Sequence, residues 1–227
     1  MLFTFATQTA RRRFASGQAT ALSPDGKWVV SLPSASPAQF VLLPTKAGEP
    51  QPLTNDDINH VWARWFPDGQ HILFSGNEPG KGTRLYVQAW QGGKPQSISP
   101  EGTHPFAVAL SPDGKLVAAI GPDEQGYLYP TTGGEPRRIP GFESGEEPIN
   151  WGPDGRSLFI YRPGQLPARV YRLDTVSGQR TLLTQLLPSD PAGVNNIGPI
   201  VLTPDGKSYV YGYHRTLTDL YLVEGLK

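Results

Sequence analysis

The sequence predicts an all-β fold, a β-propeller of about five four-stranded antiparallel blades. Three observations carry that expectation. A turn tetrad recurs five times, each copy stands between two short apolar strands, and glycine and proline are too abundant for a helical chain. The 26 glycines and 24 prolines make about 22 % of 227 residues, against roughly 12 % in average proteins, and both interrupt helices.

The tetrad is SPDG or a near variant, in SPDGKWVVS (23–31), FPDGQHILF (66–74), SPDGKLVAA (111–119), GPDGRSLFI (152–160) and TPDGKSYVY (203–211). Its prolines, Pro24, Pro67, Pro112, Pro153 and Pro204, stand 43, 45, 41 and 51 residues apart. A repeat of about 40–45 residues is the length of a four-stranded blade. Proline presets φ at the first central position of a turn, aspartate follows well in a type I turn, and glycine accepts the left-handed conformation of a bulge. Each PDG therefore reads as a hairpin.

The strands follow in order. Before each turn lies a short apolar strand: ATAL, VWARW, FAVAL, PINW and PIVL. After it comes one that is apolar on both faces, WVVS, HILF, LVAA, SLFI and SYVY, and such a strand is covered on both faces. The third strands are FVLLP (40–44), RLYVQ (84–88), GYLYP (126–130), RVYRL (169–173) and DLYLV (219–223). The fourth, more polar as edge strands are, are PQPLT (50–54), PQSIS (95–99), PRRIP (136–140) and RTLLT (180–184). The repeats fall at about 19–58, 59–102, 103–145, 146–190 and 191–227 of a single domain, with residues 1–18 expected to close the ring onto the last blade. Residues 2–16 resemble two strands where one is missing. Either the first strand is spare, or the chain is a piece of a longer propeller whose open ends can pair two copies; monomer and dimer both stay open.

Composition narrows function. Twenty Lys and Arg balance twenty Asp and Glu, a poor basis for binding nucleic acid or anionic membranes. The chain has no cysteine, which excludes disulfides, thiolate zinc sites and a cysteine nucleophile. The longest apolar runs, 106–110 and 116–120, fall far short of the roughly 20 residues that span a bilayer. MLFTFATQTARRR lacks the pattern of a signal peptide, since its arginines follow a short apolar stretch. Nothing else in the sequence assigns a compartment.

The repeat x-S-P-D-G-K-x-[apolar]-x-[apolar], followed by an L-Y strand, resembles the WD-like repeat of TolB-type propellers over nearly the whole chain. The stretch YGYHRTLTDLYLVEGLK (211–227) further resembles the extreme C-terminus of bacterial receptor-like serine/threonine kinases, which end in a propeller beyond a membrane span. That narrower resemblance implies a sensor or docking role and an extracytoplasmic location. No kinase motif is present, so no catalytic residue carries over.

Function is expected to be non-catalytic binding of a protein, a peptide or a cell-envelope component, through loops 55–62, 141–150 and 187–198, which vary most between repeats. The alternatives are a glycoside hydrolase or polysaccharide lyase and the gating propeller of a serine peptidase. A glycosidase needs two carboxyl groups about one sugar bond, and the inner strands as read here hold no acid; their polar members are Arg64 and Asn150. His60 and His104 precede the second and third inner strands and are expected near the channel mouth, with Trp62 beside them as an aromatic anchor. Glu146, Glu147, Asn195 and Asn196 complete the candidate contact set from the entry loops. Trp65 and Trp151 occupy one repeat position, shared with Leu22, Leu110 and Leu202, and are read as core. Asp25, Asp68, Asp113, Asp154 and Asp205 recur with the turn and are read as caps on its backbone N–H groups. GNEPGKGT (76–83) departs from a phosphate loop in its spacing and GFESG (141–145) from a nucleophile elbow. No metal spacing and no cofactor motif is present.

Overall fold

The computed structural model describes residues 17–218, together with two short strands, β1 (Ala6–Thr7) and β2 (Ala10–Arg11), which pair with each other. The described residues form strands, turns and loops without a helix, so none of them forms a helix long and apolar enough to cross a membrane. Four antiparallel four-stranded sheets follow in chain order. The first holds β3 (Gln18–Leu22), β4 (Trp28–Leu32), β5 (Val41–Pro44) and β6 (Gln51–Pro52). The second holds β7 (Asn59–Trp65), β8 (His71–Asn77), β9 (Arg84–Ala89) and β10 (Gln96–Ser97). The third holds β11 (Val108–Leu110), β12 (Leu116–Ile120), β13 (Gly126–Pro130) and β14 (Arg137–Arg138). The fourth holds β15 (Glu147–Trp151), β16 (Ser157–Tyr161), β17 (Ala168–Asp174) and β18 (Arg180–Leu186). A fifth unit contributes β19 (Val194–Leu202) and β20 (Tyr209–Arg215). Its expected third strand, 219–223, and most of the closing segment 1–18 lie outside the described residues.

Each tetrad makes the hairpin its chemistry predicts. Gly26, Gly69, Gly114, Gly155 and Gly206 take φ of 69°, 65°, 71°, 62° and 69°, the left-handed region open to glycine. Each tetrad aspartate accepts the N–H two residues on, from Lys27 at 3.1 Å, Gln70 at 2.7 Å, Lys115 at 3.0 Å, Arg156 at 3.0 Å and Lys207 at 3.1 Å. Where a hydroxyl precedes the proline it donates to the same carboxylate, Ser23 to Asp25 at 2.6 Å and Thr203 to Asp205 at 2.6 Å. The Ser23 hydroxyl, then the Lys27 N–H, lowers the Asp25 carboxyl from 3.8 to about 2, as hydrogen bonds to a carboxylate do.

The core lies between the sheets. The strands after the second, third and fourth turns send alternate residues into opposite interfaces, whereas β20, after the fifth, is largely exposed and not covered on both faces as expected. On β8, Ile72 and Phe74 join Val30, Phe40 and Trp65 between the first two sheets, while Leu73 joins Val108, Val117 and Tyr129 between the second and third. On β12, Val117 and Ala119 face the second sheet, and Ala118 and Ile120 face the fourth with Trp151 and Leu158. On β16, Leu158 and Ile160 face the third sheet, and Phe159 and Tyr161 pack on Ile197, Ile200 and Leu202 of β19. The β19–β20 pair leaves Val201 and Val210 exposed, at 59 % and 65 %.

Two details differ from the expectation. The inner strand β15 begins at Glu147, and β19 absorbs Asn195 and Asn196, because β20 continues to Arg215 and pairs with β19 as far back as Val194. Register shifts between Val194 and Asn196 and between Ile197 and Ile200 let Pro199 sit within the strand, since a bulge relieves proline of its ladder bond. The outer strands β6, β10 and β14 are two residues each, shorter than read, and short edges resist pairing with other chains.

Removing inter-sheet packing is expected to cost far more than straining a turn. Leu158→Ala, at a fully buried position, should lower unfolding stability by about 2–5 kcal/mol. Gly155→Ala adds a Cβ that meets no atom within 4 Å, so only its backbone strain counts, about 1–2 kcal/mol. Urea unfolding of the two variants checks the ranking.

Candidate functional site

Because every tetrad turn ends an inner strand, the turns lie at one end of the sheets, and they converge. Pro24, Pro67, Pro112, Pro153 and Pro204 line a single cavity of about 640 Å³. The last residues of the inner strands β3, β7, β11 and β15 complete its wall, among them Leu22, Arg64, Leu110 and Asn150. Among the described residues, no aspartate or glutamate lines it.

Among the described residues, Arg64 is its one charged wall residue. The side chain meets solvent there, and partial desolvation lowers its pKa below the ordinary guanidinium value; a guanidinium remains a cation at neutral pH all the same. Among the described residues no carboxylate or hydrogen-bond acceptor meets it. Asn150 donates from Nδ2 to the Leu202 carbonyl at 3.0 Å, tying β15 to β19, while its Oδ1 is buried without a partner. Trp151 Nε1 donates to the Ala109 carbonyl at 2.9 Å across the third and fourth sheets. Its repeat counterpart Trp65 is buried with Nε1 unpartnered. The remaining polar wall groups are already engaged: Thr20 Oγ1 donates to the Val30 carbonyl at 3.2 Å and Ser111 Oγ to Asp113 at 2.7 Å.

The cavity thus gathers two of the nine candidate contact residues, Arg64 and Asn150. The other seven lie toward the opposite ends of the inner strands, and most are occupied in holding the fold. His60, expected at a channel mouth, is 2 % exposed between Phe40 and Phe74, whose ring centroids lie 4.6 and 4.7 Å away. Its Nε2 meets Asp56 Oδ1 at 3.1 Å and its Nδ1 is unpartnered, which makes Nε2 the protonated nitrogen of the neutral ring. Trp62 packs between the second and third sheets, its indole N–H donating to the Pro105 carbonyl, and is no free anchor. His104 Nδ1 accepts the Ala107 N–H at 3.2 Å, stapling its own loop. Glu146, read as a rim acid, is 2 % exposed and pairs with Arg180 at 2.5 Å. Glu147 opens β15 opposite Tyr161; burial first, then the Glu147 charge, raises that phenol to about 12. Asn195 donates to Thr216 Oγ1 at 2.9 Å, and Asn196 accepts the Gly164 N–H at 3.0 Å. Among the described residues, no group of three histidine or acidic side chains is placed to hold a metal.

The sequence missed Trp90, which lies with Trp28 and Trp65 at centroid distances of 6.2 and 6.0 Å. It also missed Arg180, whose guanidinium bridges Glu143 at 2.9 Å and Glu146 at 2.5 Å. Neither position carries a spacing signal, since both pairings cross between strands and loops far apart in the chain.

Repeated four-stranded sheets stacked face to face, with their hairpin turns meeting at one central cavity, define the β-propeller class. No family model matches the chain, and no curated protein matches it. Solved structures do. TolB from Acinetobacter baumannii superposes with a TM-score of 0.62 at 17 % identity, over 90 % of this chain and 56 % of that one. A protein designated TolB from Agrobacterium tumefaciens superposes with a TM-score of 0.65 at 19 % identity, over 93 % of this chain and 81 % of that one. The chain therefore spans little more than half the length of the Acinetobacter protein. At these identities the likeness shows the fold, a TolB-type β-propeller. Neither structure supports the kinase-like reading of residues 211–227.

His60 gives the fold a pH dependence. Burial, opposed by Asp56, lowers its pKa from 6.5, so the unfolded chain binds that proton more readily. Its contribution is complete above about pH 6.5 and is lost as pH falls below that value. Thermal unfolding between about pH 7.5 and 5 should show a steeper loss of Tm on acidification in the wild type than in His60→Phe.

Proposed function

We propose that the chain is a non-catalytic binding propeller, and that its ligand enters the central cavity at the turn end rather than docking on the loops that enter the inner strands. One observation carries the reading: five turns from five repeats wall one cavity whose described lining holds a cation and no carboxylate. Hydrolysis of a glycosidic bond needs a carboxyl pair about 5–10 Å apart, and the described residues of this wall supply none. A rigid wall of prolines and strand ends suits a binding site, because little conformational entropy is lost when a ligand is ordered against it. The proposal extends to closure: residues 1–18 complete the unit of β19 and β20, whose exposed Val201 and Val210 support a further covering element.

A thermal-shift screen of peptides, sugars and small acids tests the site. Ligands that raise Tm should do so in the wild type and fail in Leu22→Trp, which fills the cavity from a wall position 52 % exposed. Mass spectrometry should recover those ligands chemically unchanged. Conversion of any of them, or stabilisation that survives Leu22→Trp, overturns the reading.

A further inference from the structure

We infer that the central cavity recognises its ligand through a carboxylate, with Arg64 as the charge partner and the surrounding proline, leucine and tryptophan side chains receiving an apolar body. The inference rests on the binding reading above and names the chemistry of the ligand.

Arg64 breaks the repeat. It stands one residue before Trp65, and the corresponding residues before Leu22, Leu110, Trp151 and Leu202 are Ala21, Ala109, Asn150 and Val201. Four repeats fold around a small or neutral side chain at this position, so the fold does not require an arginine. Elsewhere in the chain, partly enclosed arginines meet acids: Arg84 meets Glu101 at 2.8 Å, Arg180 meets Glu146 at 2.5 Å and Arg215 meets Asp190 at 3.0 Å. Arg64 stands exposed on the wall of a cavity whose described lining holds no acid. A cation taken partly out of water without a counter-charge is unfavourable, and a ligand that brings the missing charge relieves it.

The geometry of the group selects the ligand class. A guanidinium presents paired N–H donors that match the two oxygens of a carboxylate. One arginine neutralises one negative charge. A phosphate monoester carries about −1.5 to −2 at neutral pH, more than this wall offsets. Leu22, Leu110, Trp151 and the five proline rings make the remainder of the wall largely apolar, so the carboxylate belongs to a molecule with an aliphatic or aromatic body.

Phenylacetate serves as the probe, with phenylacetamide as its neutral isostere and inorganic phosphate as the competing anion. Binding is read from the indole N–H resonances of Trp65 and Trp151 in NMR titrations. Phenylacetate should shift these resonances, and the amide should bind about ten-fold more weakly or worse, the size of effect expected when a charged hydrogen bond is lost. Arg64→Gln should reduce phenylacetate affinity by a similar factor, and Arg64→Lys by less, because it keeps the charge and loses the fork. Thermal unfolding adds a second measurement. Ligand-free Arg64→Gln should be at least as stable as the wild type, since it removes an unpaired, partly desolvated charge; a Tm well below wild type would mean Arg64 serves the fold and would overturn the inference. So would equal affinity of wild type and Arg64→Gln, phosphate binding as tight as phenylacetate, or no shift at about 20 mM phenylacetate. If acid and amide bind alike, and Leu22→Trp abolishes both while Arg64→Gln changes neither, the cavity stands as the binding site and the carboxylate chemistry falls.

Discussion

The structure depends on a packing constraint: the strand that follows each of the first four PDG turns has to bury both of its faces. Residues such as Leu73, Ala118 and Phe159 are apolar with apolar neighbours in sequence, and alternation along a strand sends those neighbours to the opposite face. One sheet alone leaves half of them in water. Stacking sheets face to face solves the problem, and each interface, such as the one that joins Trp151 and Leu158 to Ala109 and Ile120, becomes the covering of two sheets at once. At about 25 cal/mol per Å² of buried apolar surface, these interfaces outweigh any single turn or ion pair. The exposed valines of β19 and β20 show the same constraint from its other side, on a unit with a described neighbour on one face.

Stacking fixes where the turns go. Each hairpin is held by the aspartate that accepts an N–H two residues on and by a left-handed glycine, so its proline projects at a set distance beyond the inner strand. Sheets stacked in order then bring five prolines to one place. The cavity is a consequence of the repeat, and so is its largely apolar wall. What the repeat does not supply is charge, since the tetrad aspartates are consumed by their own turns and no described wall residue is an acid.

Turns and strands were legible in the sequence because their causes are local. Proline, aspartate and glycine act within four residues, and the strand GYLYP runs over the residues read for it. The site was legible only in part, for a reason visible in particular residues. His60 looked like a loop histidine, yet Phe40 and Phe74 come from 20 and 14 residues away in sequence to enclose it. Glu146 looked like a rim acid until Arg180, on β18, closed over it. Both roles depend on which side chains meet across strands, and spacing along the chain does not encode that. Arg64 and Asn150 were found because polarity on an inner strand is itself anomalous, an argument that needs no knowledge of partners.

The same anomaly explains how a repetitive scaffold acquires a single site. Five copies of one turn produce a near-symmetric wall, and a symmetric wall holds no preferred orientation for an asymmetric ligand. Two departures break it: Arg64 on β7 and Asn150 on β15, in place of the alanines of β3 and β11. Asn150 spends its amide N–H on the Leu202 carbonyl and so belongs as much to the fold as to the wall. Arg64 has no such bond and stabilises nothing described around it. A residue that departs from its own repeat and engages nothing described around it is where binding chemistry and folding chemistry separate, because the fold places no demand on that charge that a ligand would have to compete with.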